Sequence, residues 1–411
     1  MSVSIPNPIE KEIQLSEAQG KALAKFDEWF AKASKFYTGR PGADREPEDE
    51  APIPQVFKIF GFAGSGKTTI AARKAQDLSS RIIAATFTGK AALVMRKKGF
   101  NCSTIHSLIY VPQMVPTIDP KTNRPTGEEH LEFVLNDESD LWNAKLLVID
   151  EVSMVNEELA KDLLSFNRPI LVLGDPGQIP PVIGTGYFMK GPVDVMLTEI
   201  HRQALNNPII KMSMDIRLGR GTRLGVYENP NGGGSSRVIL KRQLLKERDL
   251  PDAGQVICGI NRTRRTFNAD IRRYKGFDLM ATPMVGDKLI CLRNNREKRL
   301  FNGGMWLVAA PPQFDGEVFE MKLHSLDISG ATADVKVPLE FFIGEEEKLP
   351  GSKRRKFDEF DFGYAITAHK SQGSQWDNVL VYNENYCFRE SAVQWLYTAV
   401  TRAAEQLTLV I

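Results

Sequence analysis

VFKIFGFAGSGKT, residues 56–68, is a short apolar run that passes through a glycine-rich turn into Lys-Thr and a helical pattern. It fits G-x-x-x-x-G-K-[ST], the phosphate-binding loop that joins a buried strand to a helix. Gly61, Gly64, Ser65 and Gly66 give the backbone a shape in which successive N–H groups face phosphate oxygens. The following helix, opening at Thr68 and Thr69, adds the partial positive charge of its N-terminus. Lys67 is placed for the β- and γ-phosphates and the Thr68 hydroxyl for Mg²⁺. The expected cofactors are ATP and Mg²⁺.

Working outward, β and α signals alternate. Val56–Phe60, Arg81–Ala85, Leu146–Ile149 and Ile170–Leu173 read as buried strands, with helices over about 67–79, 89–98 and 156–165. That alternation predicts an α/β fold with a doubly wound, mostly parallel sheet. Before it, 16–37 reads as an amphipathic helix with Ala22, Phe26, Phe30, Ala33 and Tyr37 on one face. Ser16 and Gln19 form its capping box. Residues 38–54 read as an exposed loop. At 108–137 two β-like flanks enclose DPKTNRPTG, a hairpin pattern. A second block begins near 200, with a helix over 207–218, a strand at Gln255–Ile260, a basic helix at 263–274 and a final strand at Gln406–Ile411. Residues 284–343 break into short strand-like pieces, a small β-barrel pattern closed by a charged loop at 345–356.

Composition narrows the class. The 411 residues are 42% hydrophobic and 25% charged, which excludes a largely disordered or fibrous chain. The 53 basic and 51 acidic residues leave a net charge of +2, so a polyanion must be met by a local basic patch. Cys102, Cys258, Cys291 and Cys387 form no C-x-x-C pair, which argues against a zinc or iron–sulfur site and suits a cytoplasmic compartment. No apolar run approaches a membrane span, and MSVSIPNPIEKEI lacks the regions of a signal peptide.

The second chemical signal is LLVIDE, 146–151, an apolar strand ending in two carboxylates. Beside a phosphate-binding loop, Asp150 is placed to hold Mg²⁺ and Glu151 to polarise water. The consecutive Asp-Glu favours hydrolysis over phosphoryl transfer to a small molecule. Gln178, at the exit of the next strand, is a candidate γ-phosphate sensor. Arg202 and Arg402, each beside short polar residues, are candidate arginine fingers or surface residues.

GFAGSGKTT, TFTGKAA, STIH, DEVSM, GDPGQIPPV, LTEIHRQ, TAHKSQGSQWDNVLV and YTAVTRA occur in this order from Gly61 to Ala403. The set resembles superfamily 1B DNA helicases of the RecD and phage Dda type, over nearly the whole chain. The resemblance implies two RecA-like P-loop motor lobes, 1–107 with 138–200 and 201–283 with 357–411. It also implies a β-hairpin inserted at 108–137 and an SH3-like small β-barrel at 284–356. Gln19 would read adenine, or serve the capping box alone. Lys67, Thr68, Asp150, Glu151, Gln178, Arg202 and Arg402 would form the hydrolytic site. Thr86, Phe87, Thr88, Lys90, Thr104 and His106 would face DNA, with His106 alternatively a buried histidine. Thr367, His369, Lys370, Ser371 and Gln372 would link the ATP cleft to the DNA track, and Asn261 and Asn268 match common family positions. The family usually has Pro where Phe87 stands.

Arg262, Arg264, Arg265, Arg272 and Arg273, then Lys288, Arg293, Arg296, Lys298 and Arg299, form an expected basic track for phosphates, with Phe87 and Trp376 available to stack on bases. The function expected is an ATP-dependent 5′→3′ single-stranded DNA translocase and helicase acting in replication, recombination or repair. Its partners would be single strands and single-strand/duplex junctions, with single-strand-binding or replisome proteins beyond them, and it would work as a monomer. The alternative is a non-motor P-loop ATPase or DNA-loading subunit.

Overall fold

The structure, a computed structural model, describes residues 15–38, 53–78, 81–118, 125–180, 186–199, 206–229, 234–241, 253–277, 282–295 and 297–411. Its first sheet has six parallel strands in the order Cys102–Thr104, Ile82–Thr86, Leu146–Asp150, Ile170–Gly174, Val56–Gly61 and Val195–Leu197. Alternate residues sort onto opposite faces, as the strand period requires. Ile59, Val148 and Leu171 join Ala22, Phe26 and Ile70 on one face. Phe60, Ile149 and Val172 join Leu159, Leu163 and Phe166 on the other. Both faces are covered, which is why these strands are nearly continuous apolar runs.

Helix Glu17–Phe36 packs on this sheet. Its buried positions are Gln19, Ala22, Phe26, Trp29 and Ala33. Phe30 packs half-buried against the same core and stacks on Phe26, and Trp29, absent from the expected face, joins it; its indole N–H donates to the Pro54 carbonyl at 2.7 Å. The four buried strands each run to a residue beyond the expected end, to Gly61, Thr86, Asp150 and Gly174. That extra residue belongs to the ladder and also stands at the rim where chemistry occurs.

Strands Tyr110–Ile118 and Pro125–Leu135 pair as a separate antiparallel ribbon. Its base is tied to the first lobe by Tyr110, whose hydroxyl donates to Asp162, and by Asn136 N–H on the Ile109 carbonyl at 2.8 Å. Of the expected turn DPKTNRPTG, residues 119–124 lie outside the described residues, and Pro125, Thr126 and Gly127 belong to the second strand instead.

The second sheet is ordered Ala365–Thr367, Gln255–Cys258, Trp376–Tyr382, Ala403–Val410, Ser235–Ile239 and Gly225–Glu228; the last pairs antiparallel and the others parallel. Helices Pro208–Arg217 and Ala392–Val400 cover one face, and Asn261–Tyr274 the other. The third sheet is antiparallel, built from Lys288–Cys291, Met305–Val308, Gln313–Phe314, Val318–Ser325, Thr332–Pro338 and Phe360–Phe362. It reaches past residue 356, because Phe360–Phe362 pairs with Leu289–Cys291.

Much of the expected basic track anchors this third sheet instead. Arg272 is 3% exposed and forks onto Asp287, with Nε 3.0 Å from Oδ1 and Nη2 3.0 Å from Oδ2. Arg264 pairs with Asp361, Arg293 with Glu359 at 3.0 Å and Lys298 with Asp358 at 2.7 Å. These cations are occupied by long-range carboxylates, so they are not a free phosphate-binding face. Arg296 lies outside the described residues. Among the described residues, no helix is long and apolar enough to cross a membrane.

Candidate active site

Four neighbouring strands of the first sheet end at one rim, the crevice where parallel α/β sheets place ligands. After Val56–Gly61 comes the P-loop, in which Gly64 and Gly66 adopt φ of 80° and 78°, the left-handed region that glycine tolerates. A Cβ at Gly61 would meet Ser65 Oγ at 2.5 Å, so the loop closes only around glycine there. Lys67 folds back along the loop, its ammonium donating to the Gly61 and Phe62 carbonyls at 2.6 and 3.2 Å. Gln19 is 2% exposed and serves two roles. Its Oε1 accepts from Ser16 N–H at 2.9 Å to complete the capping box, and its amide donates to the Ser65 carbonyl at 3.3 Å.

Asp150 closes the third strand, opposite Thr86 in the ladder. Burial first, and then the neighbouring Glu151, push its carboxyl upward, against the pull of Lys67. A half-buried pair of adjacent carboxylates at a strand end is a place where a divalent cation gains most. Glu151 itself sits at φ 56°, ψ 44°, a strained left-handed conformation for a non-glycine residue. Such backbone costs about 1–3 kcal/mol and clusters at functional sites. Gln178 faces the same cleft, with Oε1 buried and without a hydrogen-bond partner.

The second lobe supplies the opposite wall of this cleft, which has a volume of about 240 Å³. Arg402 is 6% exposed and comes within 3.9 Å of Glu151. Its guanidinium is held by the Thr398 and Ser374 carbonyls at 3.0 and 3.3 Å. The structure therefore gathers Lys67, Thr68, Asp150, Glu151, Gln178 and Arg402 about one crevice. Arg202 lies outside the described residues.

Sequence comparison follows this geometry. Residues 54–232 match the family model described as an AAA domain, and 362–410 that of a UvrD-like helicase C-terminal domain. The ATP-dependent RecD2 DNA helicase of Deinococcus radiodurans is 26% identical over 407 residues, 92% of this chain and 50% of the relative. The ATP-dependent DNA helicase dda of Enterobacteria phage T4 is 35% identical over 178 residues, 39% of this chain and 38% of the relative. The chain thus spans half or less of these curated relatives. The crystal structure of Bacteroides Pif1 bound to ssDNA matches over 97% of this chain and 92% of that one, at 19% identity and a TM-score of 0.53. This chain is similar in sequence to the RecD2 and Dda DNA helicases and similar in fold to Pif1.

Within this α/β fold, several side chains sit apart from the places the family motifs suggested. Thr86 is fully buried, lines the cleft beside Asp150 and donates to the Thr88 carbonyl at 2.9 Å. Thr88 and Thr104 cap the helices Gly89–Lys97 and Ile105–Ile109, accepting from Ala91 and Ser107 N–H. Lys90 is 6% exposed, 3.3 Å from Asp327 of the third sheet and 4.3 Å from the centroid of the Trp376 ring. Its charge, and the Trp376 face, are thereby spent between the lobes. Ser371 is fully buried and donates to the Ala368 carbonyl, while buried Gln372 donates to the Ile179 carbonyl at 2.9 Å. Lys370 is held by Asn302, and burial lowers its ammonium. Asn268 is buried against Phe362 and Ala365.

Phe87, half-buried, meets exposed His106 edge-on with centroids 5.7 Å apart. Asn261 is exposed, and Thr367 and His369 are half-buried. Sequence reasoning missed Asp175, which lines the cleft, and Tyr397, whose hydroxyl is bonded to Asp175 and to Ala63. Asp175 follows a buried strand just as Asp150 does, which was the available signal.

Proposed function

We propose that the chain hydrolyses ATP to move along single-stranded DNA in the 5′→3′ direction and to unwind duplex ahead of it. The observation that carries this reading is the Glu151–Arg402 approach: the crevice is complete only when two lobes meet. A site divided between two bodies lets nucleotide turnover alter their separation, which is what a motor requires. Lys67 would engage the β/γ-phosphates, Glu151 would accept the proton of the attacking water, Gln178 would sense the γ-phosphate, and Arg402 would meet developing charge. Mg²⁺, held by Thr68 and Asp150, would neutralise phosphate charge. Gln19 would contact the adenine.

The DNA path would use the exposed and half-buried set Phe87, His106, Asn261, Thr367 and His369. The ribbon would act as the separation wedge, and the third sheet as an SH3-like insertion bracing it. The chain would work as a monomer in the cytoplasm, in replication, recombination or repair.

The test is hydrolysis with and without single-stranded DNA, followed by unwinding of duplexes with one 5′ or one 3′ overhang. Strong stimulation and a 5′ preference are expected. Turnover indifferent to DNA would return the protein to the class of non-motor ATPases, and a 3′ preference would reverse its polarity. Binding should weaken steeply with salt and depend little on sequence, because phosphate contacts release counterions.

A further inference from the structure

The second lobe touches the P-loop itself, at two consecutive residues. Arg217, at the end of helix Pro208–Arg217, places its guanidinium 3.6 Å from the Phe62 ring centroid. Ala63 N–H donates to the Tyr397 hydroxyl at 2.7 Å. That hydroxyl donates in turn to Asp175 Oδ2 at 2.8 Å, while Asp175 Oδ1 accepts from Gly177 N–H at 2.9 Å. The next residue on the helix, Thr398, accepts Ile179 N–H at 2.8 Å. Residues 175–179 form the turn that carries Gln178. The fit leaves no slack, since a Cβ at Gly177 would lie 2.9 Å from the Tyr397 ring.

Tyr397 is 1% exposed and Asp175 6%. Water therefore cannot replace the bonds between them. Burial, reinforced by Asp175, pushes the Tyr397 phenol upward, so it remains a proton donor. Arg402 stands two residues past the end of the same helix and is bonded back to Thr398. Its position is therefore that of the helix, and the helix is pinned by two hydroxyls to the first lobe.

We propose that Tyr397 is a positioning residue whose hydroxyl ties the P-loop and the Asp175 turn to the helix bearing Arg402, and so sets where that guanidinium meets the phosphates. The inference rests on the ATP-hydrolysis reading above. Without the hydroxyl the helix keeps its apolar packing through Trp395, Ala399 and Val400. What is lost is its polar register against the P-loop, and small misplacements of a catalytic group cost rate far more than affinity.

The test is Tyr397→Phe, which retains the ring. At saturating ATP, kcat should fall about ten- to a hundred-fold, with KM for ATP and the unfolding temperature little changed. A merely structural hydroxyl would lower the unfolding temperature and leave kcat per folded molecule intact. In an Arg402→Ala background, Tyr397→Phe should cost no further rate, because its effect passes through Arg402. Losses that multiply, or a kcat within about twofold of the parent, overturn the proposal. Should Tyr397→Phe not fold, Thr398→Val removes the other pin at similar volume and must show the same kcat loss and non-additivity; an unchanged kcat there is equally fatal. A parent protein that hydrolyses no ATP would instead sink the underlying functional reading.

Discussion

Glu151 and Arg402 stand 3.9 Å apart, the first in left-handed backbone at the end of a first-sheet strand, the second just beyond the last helix. Neither lobe alone holds both. Their approach makes the proposed catalytic set a property of lobe contact, and it orders the variants by what each should remove.

Lys67→Ala should abolish hydrolysis, because it takes a cation from the β/γ-phosphates. Glu151→Gln should retain nucleotide binding while turnover disappears, since an amide cannot accept the proton of water. Arg402→Ala should lower kcat by about 10³-fold. Steady-state rates beside fluorescent-nucleotide affinities separate the three; collapse of affinity in Glu151→Gln would make that residue a metal ligand.

Arg272→Ala should destabilise the protein by about 3–5 kcal/mol, the cost of leaving Asp287 buried and unpaired. The slope of log DNA affinity against log salt should stay at the parent value, because this guanidinium reaches no phosphate. Thermal unfolding and a salt titration check the two halves; a shallower slope would return Arg272 to the DNA track.

Burial, with Lys90 next and Lys275 adding to it against Asp327, lowers the Lys288 ammonium to about 7. Its folded value lies below its unfolded value, so between about pH 7 and 10.5 the unfolded chain binds more protons. Stability from this group should therefore rise with pH across that window, and be lowest below it. Unfolding temperatures compared with those of Lys288→Met check this; parallel pH profiles for the two proteins would refute it.

Replacing residues 118–126 by a short Gly-Ser link should spare DNA-stimulated hydrolysis and single-strand translocation while unwinding falls sharply. Among the described residues, the ribbon is tied to the first lobe at its base through Tyr110, and its Met114 and Phe133 are 53% and 65% accessible. Parallel loss of hydrolysis and unwinding would make the ribbon part of the motor.

The strands, the P-loop and the paired carboxylates were legible because their information is local: apolar runs, glycine spacing and capping residues act over a few positions. Partnership across the chain was not. Arg264 and Arg272 look alike on their helix, yet both are claimed by carboxylates of other elements, Asp361 and Asp287. Thr86 reads as the start of a DNA motif until parallel pairing sets it opposite Asp150. Lys90 reads as a DNA-facing residue until the third sheet brings Asp327 to it. Tyr397 gave no local sign of its role, since its partners Ala63 and Asp175 belong to the other lobe.

The meeting of Lys90 with Trp376 also gives the molecule a built-in optical gauge. An ammonium 4.3 Å from the indole centroid perturbs its excited state, and the backbone N–H of Trp376 donates to the Arg402 carbonyl at 3.0 Å. Trp29 and Trp306 are buried within single bodies and Trp142 packs at a tilt against Phe166, so these three contribute a constant background emission. Any movement of the first lobe that carries Lys90 away from the ring would change the emission of one tryptophan next to the catalytic arginine, and stopped-flow fluorescence without a label could time lobe motion against each turnover.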